Sequence, residues 1–255
     1  MNRVWKNTLV TSLYVVLAAV AIAYFYFASQ LREKGKSGEV CKAIKVTLLD
    51  SSLNKFVTKD EIVQIIERFN GAVIGKKIDS IPMLQIENML NHRSVVKESQ
   101  IHVSHDGLME VSIRQRRPVI RIETAEGGFY VDETSYVFPL IPNYTSYVPV
   151  ITGNVPVSKD SLNWIGQMLS LGLFLEQNPF WNAQVEQIYF NPQGEVELCT
   201  RVGKERVILG DLSNLSEKFS KLYSYYKGVI PKVGWDKYET VNLKYKGQIV
   251  CTKKR

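Results

Sequence analysis

Between Lys6 and Arg32 the chain carries no charged residue, and from Thr8 to Ala28 it is a nearly unbroken apolar run, about the 20 residues a helix needs to cross hydrocarbon. The run predicts a membrane helix over 8–28, preceded by a short tail (1–7) and followed by a linker (29–40) rich in charged and small residues. No second run of this kind follows, so the rest of the chain is expected on one side of the bilayer as a tethered body. A cleaved secretory signal competes with this reading, since Ala19-Val20-Ala21 and Ala21-Ile22-Ala23 offer small-residue cleavage patterns. The apolar stretch nevertheless continues through Tyr24, Phe25, Tyr26 and Phe27, an aromatic belt of the kind found at a bilayer interface. An uncleaved anchor fits better. Arg3 and Lys6 precede the run while Arg32, Lys34 and Lys36 follow it, so charge does not choose an orientation.

The formal net charge of +7 raises the question of nucleic acid. Lys and Arg are spread along the chain, with no aromatic-interleaved basic patch, and the reading is against nucleic-acid binding. Proximity to an anionic leaflet accounts for Arg32, Lys34, Lys36 and the terminal Lys253-Lys254-Arg255. Cys41, Cys199 and Cys251 are too few and too widely spaced for a structural zinc site, and an odd number leaves at least one unpaired. Buried free thiols are the default, with a Cys41 to Cys251 bridge open if the body is exported to an oxidising compartment.

Beyond the linker, Ile44, Val46 and Leu48 alternate with polar residues as in a half-buried strand. Thr58 and Glu61 have capping-box spacing, and Ile62, Ile65, Ile66 and Phe69 follow at helical intervals. A second short helix starts near Ser80 and Pro82, with Met83, Ile86 and Leu90 on one side. Two alternating runs, one through Ile101 and Val103, the other through Met109, Val111 and Ile113, flank His105-Asp106-Gly107 and read as a hairpin. The order strand, helix, helix, strand, strand predicts a three-stranded sheet with both helices on one face. After Arg116-Arg117-Pro118 the pattern changes to short strands: 119–123, 129–132, 136–138, 148–152, 185–190, 196–199 and 206–209. Two helical stretches interrupt them, one with Leu162, Ile165, Leu169 and Leu173, the other with Leu215, Phe219, Leu222 and Tyr226. A final hairpin is expected from Tyr238 to Tyr245, turning at Lys246-Gly247 into Gln248 to Thr252, with Val241, Leu243 and Tyr245 facing the same way.

Chemistry is sparse. His92, His102 and His105 all fall in the first small domain, and His102 and His105 point to opposite faces of a strand. The stretch from Gly71 to Lys77 is one residue short of a P-loop and lacks its Ser or Thr. No G-x-S-x-G, G-x-G-x-x-G or H-E-x-x-H occurs. Glu195 and Glu197 share a strand face that reads as solvated. The residues predict no catalytic site, no cofactor, no metal and no small-molecule substrate.

The fold class predicted is thus α+β: one membrane helix, a β-α-α-β-β domain over 41–116, and a mainly β domain with two packed helices over 117–255. The first domain resembles a POTRA domain. The anchor and the β-rich remainder accompany it, together with Val111-Ser112-Ile113-Arg114-Gln115-Arg116-Arg117-Pro118, Phe129-Tyr130-Val131-Asp132 with Val137-Phe138-Pro139, Val148-Pro149-Val150-Ile151-Thr152-Gly153, and Asn242-Leu243-Lys244-Tyr245. On these pieces the chain is similar to the bacterial cell-division FtsQ/DivIB family. Three departures accompany it: the tail is shorter than in many relatives, Ser135 stands near where the family usually has Gly, and Lys244 replaces the more usual Arg.

The resemblance implies a non-enzymatic divisome scaffold in the inner (plasma) membrane at the septum, N-terminus cytoplasmic and body extracytoplasmic. It implies FtsB-like and FtsL-like partners, and through them septal peptidoglycan synthases. The FtsB-like contact would form by strand addition at Lys244, Tyr245, Lys246, Gly247, Gln248, Ile249 and Val250. At the junction, Arg116 and Arg117 ahead of Pro118 read as solvated charges in preference to a partner contact. The competing reading is a membrane-anchored POTRA-type export or assembly factor that handles extended polypeptides.

Overall fold

The structure, a computed structural model, describes residues 16–29, 40–52, 54–104, 106–142, 144–156 and 161–255. Residues 16–29 form helix α1. The start of the expected 8–28 span and most of the 29–40 linker lie outside the described residues, and among the described residues no helix is long and apolar enough to cross a membrane. The chain divides into two compact units, Met1–Leu49 with Val57–Arg114, and Asp50–Phe56 with Gln115–Arg255.

In the first unit β1 (Ala43–Leu48), α2 (Lys59–Asn70), a 3-10 turn (Ile78–Ser80), α3 (Met83–Asn91), β2 (Val96–Val103) and β3 (Leu108–Gln115) follow one another in the predicted order. The Thr58 hydroxyl accepts from the Glu61 N–H at 3.2 Å while the Glu61 carboxylate accepts from the Thr58 N–H at 2.7 Å. Two donors that a helix start leaves unpaired are thereby satisfied. The sheet order is β1-β3-β2, with β1 parallel to β3 and Val46 opposite Val111. Parallel neighbours need a long crossover, and the helical segment supplies it. Ile62, Ile66, Ile86, Leu90, Met109, Val111 and Ile113 are fully buried. Phe69, expected on the buried face, is instead 49% exposed; it sits in the last turn of α2, just before the chain reverses at Gly71 (φ 70°).

The β2 margin of this sheet is occupied from within. The Ser99 N–H donates to Asn91 Oδ1 at 2.7 Å and the Ile101 N–H to Glu87 Oε2 at 3.1 Å. Glu87 and Asn91 stand one turn apart on α3, so they reach two successive outward-facing donors of the strand.

The second unit holds β4 (Pro118–Thr124), β5 (Gly127–Asp132), β6 (Val137–Pro139), β7 (Val150–Gly153), α4 (Ser161–Glu176), α5 (Pro179–Gln184), β8 (Val185–Phe190), β9 (Val196–Thr200), β10 (Arg206–Gly210), α6 (Leu215–Gly228), α7 (Ile230–Val233), β11 (Tyr238–Asn242) and β12 (Val250–Lys253). They build a nine-stranded sheet in the order β12-β11-β10-β9-β8-β7-β4-β5-β6. The pairs β7–β8 and β10–β11 are parallel, and each is bridged by helices. Because β8 and β10 run the same way and both crossovers step in the same direction along the sheet, right-handed connections put α4 and α6 on one face. The core lies there: Ile165, Met168, Leu169 and Leu175 of α4, Trp181, and Phe219, Leu222 and Tyr225 of α6 pack with Ile120, Ile122, Ile151, Ile188, Leu198, Val207 and Val241. Leu173 is half-buried, and the side chain of Leu162 lies outside those described.

Residues Asp50–Phe56 precede α2 in sequence yet belong to this second unit. The Gln115 amide N–H₂ donates to the Asn54 carbonyl at 3.0 Å and its side-chain oxygen accepts from the Phe56 N–H at 2.8 Å. Phe56 packs edge-on against Tyr130, Phe138 and Tyr144 at 5.8, 5.7 and 5.0 Å between ring centres.

The closing hairpin differs from expectation. Its first strand stops at Asn242, and its second begins at Val250. Asn242 pairs Val250 and Val241 pairs Cys251. The three cysteines are free thiols, with Cys41 buried, Cys251 half-buried and Cys199 exposed.

Candidate functional site

Of the seven residues expected to bind a partner, only Val250 lies in a strand; Lys244, Tyr245, Lys246, Gly247, Gln248 and Ile249 form the connection into it. The break has a local cause. Asn242 Oδ1 accepts from the Lys244 N–H at 3.0 Å, an Asx turn that gives the backbone an alternative to the ladder. Leu243 still donates to the Ile208 carbonyl at 2.9 Å and is fully buried, whereas Tyr245 leaves the sheet and is 47% exposed.

The connection is nevertheless fixed from several sides. The Lys221 ammonium of α6 donates to the carbonyls of Leu243 at 2.7 Å and Tyr245 at 2.5 Å. One turn earlier, Glu217 accepts from the Gly247 N–H at 3.2 Å. Gly247 takes a positive φ of 69°, which glycine adopts without steric cost. The stem of Lys244 runs over Gly210, where an added Cβ would lie 2.6 Å from it. Its ammonium reaches Glu195 at 2.7 Å, a hydrogen bond that raises the lysine's pKa. These groups line an open polar groove of about 470 Å³ that also contains Asp211, Asn214 and Lys218. Lys218 lies 2.6 Å from Asp211 and, through that hydrogen bond, draws the Asp211 carboxyl down to about 2.

Among the described residues, β12 stands at the margin of the sheet with β11 as its single neighbour. Val250 is 44% exposed, while Cys251 turns to pack on the core. The opposite margin is β6, three residues long and closing on Pro139, a residue with no N–H to offer.

The junction is less solvated than expected. Arg116 is 14% exposed and lies 2.7 Å from the fully buried Asp132, with its guanidinium 3.5 Å over the ring of Tyr136. Burial pushes the Asp132 carboxyl up, but hydrogen bonds from Thr134, Arg116 and the Tyr136 and Thr134 N–H groups outweigh it and leave it below the usual range. Arg117 pairs with Glu176 and, at 3.9 Å, with Glu133. Pro118 opens β4 opposite Asp132.

Two acidic residues also differ from expectation. Glu197, read as solvated, is buried and bonded by Asn191 at 3.0 Å and Arg206 at 3.3 Å, while Glu195 precedes the strand. Glu205, which no sequence pattern singles out, is 3% exposed, and among the described residues no side chain pairs with its carboxylate oxygens. Burial pushes its carboxyl up, and it in turn adds to the upward shift of the Cys251 thiol and Tyr225 hydroxyl. No periodicity or motif marks such a residue, because an acid next to Gly203 and Lys204 reads as a turn.

Residues 117–252 match the family model described as FtsQ/DivIB, C-terminal related, and residues 39–114 match that of a POTRA-like domain. No curated protein matches the chain.

Proposed function

Because the chain belongs to the FtsQ/DivIB family, we propose that it is a non-enzymatic cell-division scaffold, anchored in the plasma membrane at the septum by the apolar 8–28 segment with residues 1–7 in the cytoplasm. Its body takes FtsB-like and FtsL-like partners and through them reaches the septal peptidoglycan synthases. The observation that carries this reading is the position of β12, a strand with one free side at the end of the sheet. Main-chain groups along such a side offer affinity to any added strand, and the side chains that flank it select which strand is accepted. Val250 and the exposed Tyr245 lie at that side and beside its entry.

An export factor that chaperones extended segments would use the sheet of the first unit. There the β2 margin is already held by Glu87 and Asn91, which counts against that alternative.

The test is depletion combined with capture. Loss of the protein is expected to give filaments without septa; normal septation with missing envelope proteins would favour the export reading. Tyr245→Glu is expected to abolish capture of the FtsB-like partner while thermal unfolding stays cooperative, because an exposed site tolerates substitution. Capture at unchanged affinity would place the interface elsewhere.

A further inference from the structure

We propose that α6 presets the partner-binding margin: Glu217 and Lys221 act as positioning residues that hold the 243–247 connection, so that β12 meets an added strand already ordered. The proposal rests on the reading that β12 receives the partner.

The geometry is specific to this task. Glu217 and Lys221 are four residues apart and so project from one face of α6. Every group they hold is main chain of a single segment: the carbonyls of Leu243 and Tyr245 and the N–H of Gly247. A positive group takes the two acceptors and a negative group takes the donor, so all three bonds are charge-assisted. The helix does not need them for its own docking, which Phe219, Leu222 and Tyr225 secure by burial.

What the bonds do is restrain a connection that the sheet itself holds weakly. β12 is four residues long with one neighbour, and Asn242 has already turned the chain off the ladder. Left to itself, such a segment would have to be ordered at the moment of binding, and that entropy would be subtracted from affinity. With Lys221 in place the ordering is done in the free protein. Lys244, bound to Glu195 across Gly210, secures the same connection from the other side.

The test uses the full chain. In hydrogen exchange, Lys221→Met is expected to speed the amides of 243–253 by at least about tenfold, because it removes both charge-assisted hydrogen bonds to the Leu243 and Tyr245 carbonyls, with β8 to β10 unchanged and the same melting temperature. In dividing cells, a photo-crosslinking amino acid at Thr252 reports on strand addition directly. The crosslinked product is expected to fall in Lys221→Met and to return in Lys221→Arg, which can still donate to both carbonyls. Undiminished product in Lys221→Met, or unchanged exchange over 243–253, overturns the positioning role and leaves β12 as the binding strand. No product at Thr252 in the otherwise unaltered chain overturns the β12 reading, and the positioning role with it.

Discussion

Arg116 and Asp132 form an ion pair at 2.7 Å in which the carboxylate is wholly shielded from solvent. Asp132 also accepts from Thr134 and from the Tyr136 N–H, so one buried oxygen pair organises the turn between β5 and β6 and ties the start of β4 to it. Removing one partner of such a pair strands a buried charge. Arg116→Ala is therefore expected to cost about 3 kcal/mol in urea unfolding followed by the fluorescence of the buried Trp164 and Trp181. The Asp132 carboxyl titrates lower folded than unfolded, so its contribution is fully present above about pH 4 and is lost as the pH falls through the folded value. Curves for the two proteins should converge on acidification; a constant gap would contradict the pairing.

Glu205 carries the opposite sign. Its folded carboxyl is pushed up by burial, so the fold favours the protonated form. Its contribution is intact below about pH 4.3, the unfolded value, and is lost as the pH rises through the folded value. Glu205→Gln removes the ionisable group and keeps the shape. The variant should melt increasingly above the parent as the pH rises from the unfolded value through the folded one, and by a constant margin beyond it; parallel melting curves across the titration would show that burial does not govern this carboxyl.

Ser135 occupies a left-handed backbone position, φ 66°, in the turn after Asp132. A side chain there costs roughly 1–2 kcal/mol, and glycine returns somewhat less than that because it frees the unfolded chain. Ser135→Gly is expected to stabilise by about 0.5 kcal/mol, read as an upward shift in urea midpoint at unchanged slope. A loss of stability would mean the Ser135 side chain contributes more than the backbone strain removes.

Thr58 closes the capping box on α2. Thr58→Ala should destabilise by about 1 kcal/mol, visible as faster amide exchange in the first turn of α2, with Thr58→Ser close to the parent. Equal exchange in all three would assign the helix start to packing alone.

What the sequence disclosed and what it hid follow one division. Thr58 with Glu61, the alternation through Met109, Val111 and Ile113, and the stripe of Phe219 and Leu222 are local patterns, and each became the element it indicated. Order within the nine-stranded sheet depends on contacts between distant segments, such as Arg121 opposite Val150, and no spacing announces them. The same holds for Asp50–Phe56, which joins the second unit through Gln115. At the candidate site the alternation of Val241, Leu243 and Tyr245 pointed to a continuous strand, but the Asn242 side chain competes with the ladder and wins. The short helix α5 did have a signal, Pro179 at its first turn after Asn178.

The contrast between Pro139 at one end of the large sheet and β12 at the other has a consequence for crowding. Open strand margins at high density invite zippering into polymers. Among the described residues, the β6 margin of this sheet is short and closes on Pro139, which leaves β12 as the margin of this sheet better able to pair with a second copy. On the reading proposed above, occupancy by a partner and self-association would compete for one seam, and a partner seated there would also keep two copies from pairing.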